Sequence, residues 1–269
     1  MANIVSANFR YLKKTGCFVY RMDNLFVNDK IIVRTRRGVE LAVVTSIEKI
    51  DDIKIPEKLE GLILRKIDKS DSYRLANIEQ AEEDALKKVK DKIAEYNLNM
   101  KVIKIEYMFD MKKMVLYFSS DERMDYSLLL HSVVNILNIA VEFQQVSVRE
   151  GAGIIGGIGI CGKSLCCKTF LRNFKNIHAQ SIINQGMIIS SSKFCGICGR
   201  LMCCLKYEED MYIENAENLP KIDDIVITPR GHAVVLEREI LSRKVKVSLI
   251  NDREPLPVIF DINDLKKID

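Results

Sequence analysis

A cysteine motif occurs twice in this chain, as CGKSLCC at 161–167 and as CGRLMCC at 198–204. Both copies have the order cysteine, glycine, cation, two further residues and a cysteine pair. Glycine after the first cysteine lets the backbone turn tightly, so that its thiolate and one thiolate of the pair can converge on a metal. We therefore predict that function resides in this segment. The candidate metal ligands are Cys161, Cys166, Cys167, Cys198, Cys203 and Cys204, with Cys195 as an additional candidate.

The distribution of cysteine favours a metal-binding or redox role over a disulfide framework. Seven of the eight cysteines lie between positions 161 and 204, and only the isolated Cys17 is assigned to packing. No apolar run is long enough for a membrane span, and the start has no signal-peptide core, so we predict a cytoplasmic chain with reduced thiols. Lys163 and Arg200, each two positions after the first cysteine of a copy, are expected to stabilise the thiolates.

The residues alone leave the kind of metal centre open. Four thiolates suit an iron–sulfur cluster or a tetrahedral zinc ion. Structural zinc sites usually contain two short cysteine pairs, and here only Cys195 and Cys198 have that spacing. Adjacent cysteines seldom bind one tetrahedral ion. We therefore rank an iron–sulfur cluster first, zinc second and a metal-free redox or structural thiol core third.

Two glycine-rich stretches imitate nucleotide-binding motifs. Residues 157–164 match the phosphate-loop pattern, but the preceding strand is predicted to end near Val148, and the paired cysteines that follow have no role in phosphate binding. The stretch GAGIIG, at 151–156, is predicted to be a flexible loop. Both matches lack the strand and helix context of a nucleotide site, so the sequence argues against an ATPase.

The pattern of apolar residues predicts an α+β protein with a β-rich N-terminal part, a central α/β sandwich with a cysteine-rich segment, and a small C-terminal β-barrel. A hairpin is predicted around Gly38. Helical spacing predicts a helix over 77–96, with Asn77 and Gln80 as its capping pair, followed by a β-β-α-β order. The predicted parts are a β-rich region at 1–64, helix and sandwich at 65–150, a cysteine-rich metal-binding segment at 151–210 and a barrel at 219–269.

Basic residues in the first hairpin suggest a second class of function. The formal net charge of +4 is too small to identify a nucleic-acid-binding protein. No aromatic residues alternate with the basic ones, so a solvated turn is favoured over a phosphate-binding surface. The alternative function is a nucleic-acid-binding module with a structural zinc or thiol core. Its candidate phosphate ligands are Lys30, Arg34, Arg36 and Arg37.

Four motifs together resemble the bacterial YaaT/RicT family, which has a PSP-type C-terminal domain. They are GGIGICGKSLCC, CGRLMCCLKYE, RMDYSLLLHSV and VEFQQVSVRE. The resemblance covers most of the chain and implies that the six repeated cysteines are ligands of 4Fe-4S clusters. The chain departs from the family pattern at Cys195, where serine is customary, and over Asn138 to Glu142, where the family's basic stretch is replaced by NIAVE.

The resemblance also implies a function. Members are cytoplasmic accessory proteins, not stand-alone enzymes, and they join YlbF-type and YmcA-type helical proteins in an iron–sulfur complex. That complex assists RNase Y in messenger RNA maturation and affects sporulation, competence and biofilm formation. We therefore expect a non-enzymatic adaptor with a 4Fe-4S cluster, or alternatively zinc, and with indirect or weak contact to RNA.

Overall fold

The computed structural model describes residues 2–11, 14–21, 24–50, 59–122, 124–171, 176–187, 193–250 and 256–267. The chain divides into two compact units, Met1–Asn173 and Phe174–Asp269. Helices and strands occur in both units, so the predicted α+β class is confirmed. The boundary falls inside the cysteine-rich segment, and each unit therefore carries one copy of the cysteine motif. The finer division into four parts stays a prediction.

The N-terminal strands of the first unit form a closed barrel in the order β1-β2-β5-β3-β4. Apolar side chains such as Val5, Phe18 and Ile31 fill its interior. Gly61 allows β5 to close the barrel, because a Cβ atom at this position would lie 1.9 Å from the Arg34 carbonyl oxygen. The predicted hairpin is confirmed as β3 and β4. The strands are β1 (Ala2–Phe9), β2 (Thr15–Tyr20), β3 (Lys30–Thr35), β4 (Val39–Ile50) and β5 (Gly61–Lys66).

Helix α1 (Lys69–Glu95) begins two turns before the predicted start at Asn77. Its N-cap is Asp68, which forms a capping box with Asp71. Arg65 donates two hydrogen bonds to Asp71, at 2.5 and 2.8 Å, and this contact lowers the pKa of Asp71 to about 2. The prediction of a cap at Asn77 was wrong because a buried aspartate interrupts the apolar stripe of the first turns.

The predicted β-β-α-β order after this helix is confirmed. Strands β6 and β7 are antiparallel, β7 and β8 are parallel, and the helix between them crosses over one face of the three-stranded sheet. Helices α1 and α2 cover this face, with Val89 and Val133 packed on Met114, Leu116 and Phe118. The elements are β6 (Lys101–Tyr107), β7 (Lys113–Ser119), α2 (Ser127–Leu137) and β8 (Ala140–Gln145).

The stretch GAGIIG belongs mostly to a short helix, α3 (Val148–Ile155), and the prediction of a flexible loop was wrong. Ser147 and Glu150 form a capping box that starts this helix. Gly151 lets α3 pack closely on β6, because a Cβ atom there would lie 3.3 Å from Ile103 Cδ1. The strand before it also ends at Gln145, earlier than predicted.

In its described residues, the second unit combines two helices with a five-stranded antiparallel sheet in the order β12-β11-β10-β9-β13. Its core contains Val226, Val235, Val245 and Val247. The predicted small β unit is present. Within the described residues it is an open sheet and not the predicted barrel, because β12 and β13 lie at opposite edges and pair only with β11 and β9. The elements are α4 (Gln180–Ile183), α5 (Cys203–Glu217), β9 (Ile225–Thr228), β10 (Gly231–Glu239), β11 (Lys244–Leu249), β12 (Val258–Asp261) and β13 (Lys266–Lys267).

A buried ionic network joins the first hairpin to the sandwich. Arg37 donates from Nη1 to Glu40 Oε2 at 3.2 Å and from Nη2 to the Tyr117 hydroxyl at 2.8 Å. The Tyr117 hydroxyl in turn donates to Glu106 Oε2 at 2.6 Å. Burial raises the pKa of the Glu106 carboxyl above its ordinary value, and the Tyr117 hydrogen bond and the Arg37 guanidinium offset only part of this shift. Arg37 therefore holds together two buried carboxylates from different parts of the unit.

Glu82 of α1 is a further buried carboxylate of this unit. Its Oε1 accepts from Arg10 Nη1 at 2.8 Å and from the Tyr107 backbone N–H at 3.2 Å, and Lys104 Nζ lies 3.8 Å from Oε2. Burial nevertheless raises the pKa of Glu82 to about 7, because these partners offset only part of the cost of desolvation. The folded protein thus favours the protonated form of Glu82 more than the unfolded chain does.

We expect a pH-dependent stability that Glu82→Gln removes. The contribution of Glu82 is fully present below its unfolded pKa of about 4.5 and is lost as the pH rises through about 7. The wild type should therefore lose on the order of 2–3 kcal/mol of unfolding free energy between pH 5 and pH 8 relative to Glu82→Gln. Denaturant unfolding at both pH values measures this difference.

The matched control is Glu79→Gln, since Glu79 contacts the same guanidinium at 2.9 Å but has an exposed side chain. This control should keep the pH dependence of the wild type. An equal pH dependence in the wild type and Glu82→Gln would contradict the assigned role of Glu82.

Candidate metal centre

The first cysteine motif folds into a compact turn, which we call the first knuckle (residues 157–168). The predicted tight turn is confirmed at Gly162, whose φ of 76° lies in the left-handed region that favours glycine. An antiparallel bridge between Ile158 and Ser164 closes the turn. Its backbone hydrogen bonds run from Gly159 N–H to the Lys163 carbonyl (2.8 Å), from Gly162 N–H to the Gly159 carbonyl (3.0 Å) and from Leu165 N–H to the Gly157 carbonyl (3.1 Å).

The second motif builds the same turn, which we call the second knuckle (residues 194–205). Gly199 has a φ of 70°, and an antiparallel bridge joins Cys195 to Leu201. Each hydrogen bond has a counterpart in the first knuckle, so the sequence repeat is also a structural repeat. The bonds run from Gly196 N–H to the Arg200 carbonyl, from Gly199 N–H to the Gly196 carbonyl and from Met202 N–H to the Phe194 carbonyl, each at 2.9 Å.

The first cysteine of each motif lies at the tip of its knuckle and folds back over the turn. A Cβ atom at Gly159 would lie 3.5 Å from Cys161 Sγ, and one at Gly196 would lie 3.7 Å from Cys198 Sγ. Both glycines therefore leave space beside a thiol. Cys161 is exposed and Cys198 is half-buried, so metal in solution can reach both tips.

The cysteine pairs lie where each turn ends. Cys166 is half-buried and Cys167 is buried, whereas Cys203 and Cys204 are half-buried and form the first two residues of α5. The N-cap of α5, Met202, makes no side-chain capping hydrogen bond. The partial positive charge of the helix N-terminus therefore lies at this cysteine pair.

Two hydrogen bonds join α5 to the residues that follow α4. Gln185 Nε2 donates to the Leu205 carbonyl at 2.6 Å, and Asn184 Nδ2 donates to Glu209 Oε1 at 2.9 Å. Glu209 is buried, and the hydrogen bond from Lys206 is the main reason that its pKa lies below the ordinary value. The cysteine pair of the second knuckle is therefore held on a packed helix.

The donor set fits a thiolate-bound metal or cluster in its chemistry, since sulfur ligands on tight glycine turns are typical of zinc and iron–sulfur sites. Among the described residues, however, no three cysteine, histidine or carboxylate side chains are already grouped for a metal ion. Metal binding would therefore require some thiols to reorient. Lys163 and Arg200 are exposed beside the knuckles, and their role toward the thiolates stays a prediction.

The surroundings of residues 157–164 differ from those of a phosphate loop. Helix α3 precedes the glycines where a phosphate loop has a buried strand, and turns follow Ser164 where it has a helix. The Lys163 carbonyl accepts a hydrogen bond inside the knuckle. The residues that match the phosphate-loop motif therefore form part of a cysteine turn.

The four basic residues of the first hairpin differ in their exposure to solvent. Lys30, Arg34 and Arg36 are exposed, and they stay candidates for contact with phosphate. Arg37 instead turns inward and binds the buried carboxylates described above, with only 19% of its side chain exposed. This placement leaves its guanidinium committed to the protein interior.

The sequence prediction missed the exposed apolar residues that lie next to the cysteines in the chain. Ile160 precedes Cys161 and is 70% exposed, and Ile197 precedes Cys198 and is 58% exposed. Ile158 and Phe170 are also exposed in the first unit. The repeat could have indicated these residues, because isoleucine occupies the same position in both copies.

Cys17 was predicted to be a packing residue. Cys17 is half-buried in β2, and burial raises the pKa of its thiol, as suits a packing residue.

No helix in the described ranges is both long and apolar enough to cross a membrane.

Comparison with known proteins identifies the family. The PSP1 C-terminal conserved region matches residues 61–146, from β5 to the end of the sandwich, and the third domain of PSP1-like proteins matches residues 176–219, which include the second knuckle. No solved structure matches the chain. The stage 0 sporulation protein YaaT of Bacillus subtilis (strain 168) is 36% identical over 261 residues, covering 93% of this chain and 91% of that protein. The chain therefore belongs to the YaaT family of PSP1-type proteins.

Proposed function

We propose that this chain is a non-enzymatic cytoplasmic adaptor that binds an iron–sulfur cluster together with small helical partners and assists RNase Y in messenger RNA processing. The duplicated knuckle carries this proposal. Two turns with the same hydrogen bonds each present a cysteine at the tip and a cysteine pair at the end. Such a duplication supplies many thiolates within a short segment, as a cluster of the 4Fe-4S type requires.

The adaptor role is supported by the apolar surface beside the thiols. Isoleucine at the tip of each knuckle, Ile160 and Ile197, is mostly exposed. Exposed apolar side chains beside a functional group are typical of protein-binding surfaces, and each unit has one next to the first cysteine of its motif. Helical partners of the YlbF and YmcA types would cover these residues and shield the cluster from solvent. Cluster binding and complex assembly would then be coupled.

The relative supports a regulatory role. The B. subtilis protein is described by its name as a stage 0 sporulation protein, and that name gives no catalytic activity. We extend a role in sporulation to this chain, and we propose competence and biofilm formation as further processes that depend on it. The proposed mechanism is recruitment: the chain brings RNase Y and the helical partners together, and the nuclease cuts the RNA.

A nuclease reconstitution tests this function. The chain alone should leave messenger RNA intact, whereas the chain with both helical partners should change the cleavage pattern of RNase Y. Ile160→Asp combined with Ile197→Asp should weaken capture of the partners by at least tenfold, because a charge replaces an apolar contact at each knuckle. Co-purification and cleavage assays measure the two effects.

The matched control is Leu62→Asp, since Leu62 is a similarly exposed apolar residue on the barrel, at 64% exposure. This variant should capture the partners like the wild type. RNA cleavage by the purified chain without RNase Y would contradict the adaptor role, as would unchanged partner capture by the double variant.

A further inference from the structure

The three-stranded sheet of the first unit has two different edges. At one edge, β6 carries Lys101 and Lys104, and its pairing with β7 shifts register between Val102 and Lys104. Lysine side chains and bulges of this kind keep an edge strand from pairing with another chain. At the other edge, β8 pairs with β7 over its whole length without a shift, and it contains no lysine and no proline. The edge formed by β8 therefore lacks these protective features.

The backbone of β8 is available for a further strand. Among the residues that the structure describes, β8 pairs with β7 alone. Its one charged side chain, Glu142, lies with Oε2 2.5 Å from Lys113 Nζ of β7, so this charge is already bound within the same sheet. The N–H and C=O groups along the outer side of such a strand are a template for pairing.

The helix beside this edge presents uncharged apolar residues. Helix α1 contacts β6 and α2 contacts β8, so α2 lies on the β8 side of the sheet. The hydroxyls of Ser132 in α2 and of Tyr96 at the end of α1 lie 2.6 Å apart. Leu130 and Val134 lie two positions to either side of Ser132, about 200° around the helix, and therefore face away from α1. Both are half-buried, and α2 contains no aspartate, glutamate, lysine or arginine.

A second copy of this chain is the partner that these features fit. A helical protein satisfies its backbone groups internally and cannot pair with an edge strand. A nucleic acid would require lysine or arginine, which neither α2 nor β8 contains. A second β8 supplies an extended segment, and a two-fold dimer needs a surface that tolerates its own copy. The uncharged α2 meets this need, because no like charges meet across the axis.

We propose that β8 pairs antiparallel with β8 of a second copy, so that two three-stranded sheets join and the two α2 helices pack through Leu130 and Val134. Opposite residues of an antiparallel pair point to the same face of a sheet, so a residue near the middle of β8 lies opposite itself. Glu142 opposite itself would bring like charges together. Phe143 opposite itself pairs two aromatic rings and sets Glu142 against Gln144, and this is the register we assign.

Reciprocal charge variants of the full chain test the proposal. Sedimentation velocity in reducing buffer with a chelator excludes dimers linked by disulfides or metal, and the wild type should have twice the chain mass of 30.8 kDa. Leu130→Lys combined with Val134→Lys should raise the dimer Kd at least about 100-fold, because like charges then meet at the axis. Leu130→Glu combined with Val134→Glu should do the same. An equimolar mixture of the two variants should regain the dimer, since their charges are complementary.

The matched control is Leu128→Lys combined with Asn135→Lys, since these residues of α2 are exposed and lie on the helix side opposite Leu130. This control should stay dimeric, and circular dichroism checks the fold of every variant. A monomeric wild type at micromolar concentration would overturn the proposal. A dimer that persists with lysine at 130 and 134 would also overturn it, as would a mixture that stays monomeric. These outcomes do not involve iron, sulfide or partner proteins, so the proposed function is tested separately.

Discussion

Arg37→Ala is expected to lower the free energy of unfolding by about 3–5 kcal/mol, because it leaves buried charges without their cation. Glu40 and Glu106 are 3% and 4% exposed, and Arg37 is the positive group between them. Without it, the two carboxylates would lie in a low-dielectric interior without the cation that offsets their desolvation. The Tyr117 hydroxyl would also lose its contact with the guanidinium, at 2.8 Å.

Chemical denaturation of Arg37→Ala beside Arg36→Ala measures this effect. Arg36 is the neighbouring residue of the same turn but is exposed, so its replacement should change the unfolding free energy by less than about 0.5 kcal/mol. The loss in Arg37→Ala should be larger at pH 8 than at pH 5, because burial raises the pKa of Glu106 and its protonation relieves part of the unpaired charge. Similar stabilities of the two variants would mean that the network does not join the hairpin to the sandwich.

Removal of the six repeated cysteines should eliminate iron and acid-labile sulfide from the assembled complex. Thiolates are the ligands of the proposed cluster, and serine or alanine cannot replace them. Cys161 and Cys198 can be changed to serine at the knuckle tips, whereas the buried Cys167 is better changed to alanine, which keeps its site apolar. The replaced residues are Cys161, Cys166, Cys167, Cys198, Cys203 and Cys204.

The cysteine replacements need two further sets of variants, one that controls for folding and one that shows which knuckle supplies the ligands. Cys17→Ser removes a thiol from the barrel and should keep the iron content of the wild type. Variants restricted to one knuckle show whether a cluster draws ligands from each unit. A complex that retained its iron and sulfide without all six cysteines would contradict their assignment as ligands.

The sequence predicted the regular elements well where one signal dominated. The hairpin at Gly38 and the sandwich strands follow clear apolar alternation and turn residues, and the structure has them. The two tight turns at Gly162 and Gly199 were predictable because the glycine recurs after a cysteine in both copies. These elements depend on residues that are close together in the chain, so a single sequence was sufficient to predict them.

Predictions failed mainly where a polar residue is buried and binds other residues in the protein interior. Asp71 lies on the buried face of the first turn of α1 and interrupts the apolar stripe, which concealed the first turns of the helix. Helix α3 was missed because glycines conceal a helix, although Ser147 and Glu150 form a recognisable capping box. Arg37 appeared to be a surface cation, since only the fold brings it to Glu106 and Tyr117.

The candidate site was predicted as a set of residues but not as a geometry. Spacing identified the cysteines and left iron, zinc and a metal-free core open, because the same thiolates suit several metals. The structure adds that the two copies share their backbone hydrogen bonds. It also shows exposed isoleucine beside each tip, a feature that depends on burial and therefore could not be read from composition.

Iron, zinc and acid-labile sulfide in anoxically purified protein test the central claim most directly, with the chain measured alone and together with its YlbF-type and YmcA-type partners. The account predicts iron with an equal amount of sulfide in the complex, and less of both in the isolated chain. Stoichiometric zinc without sulfide, or neither metal even with partners present, would contradict the iron–sulfur adaptor.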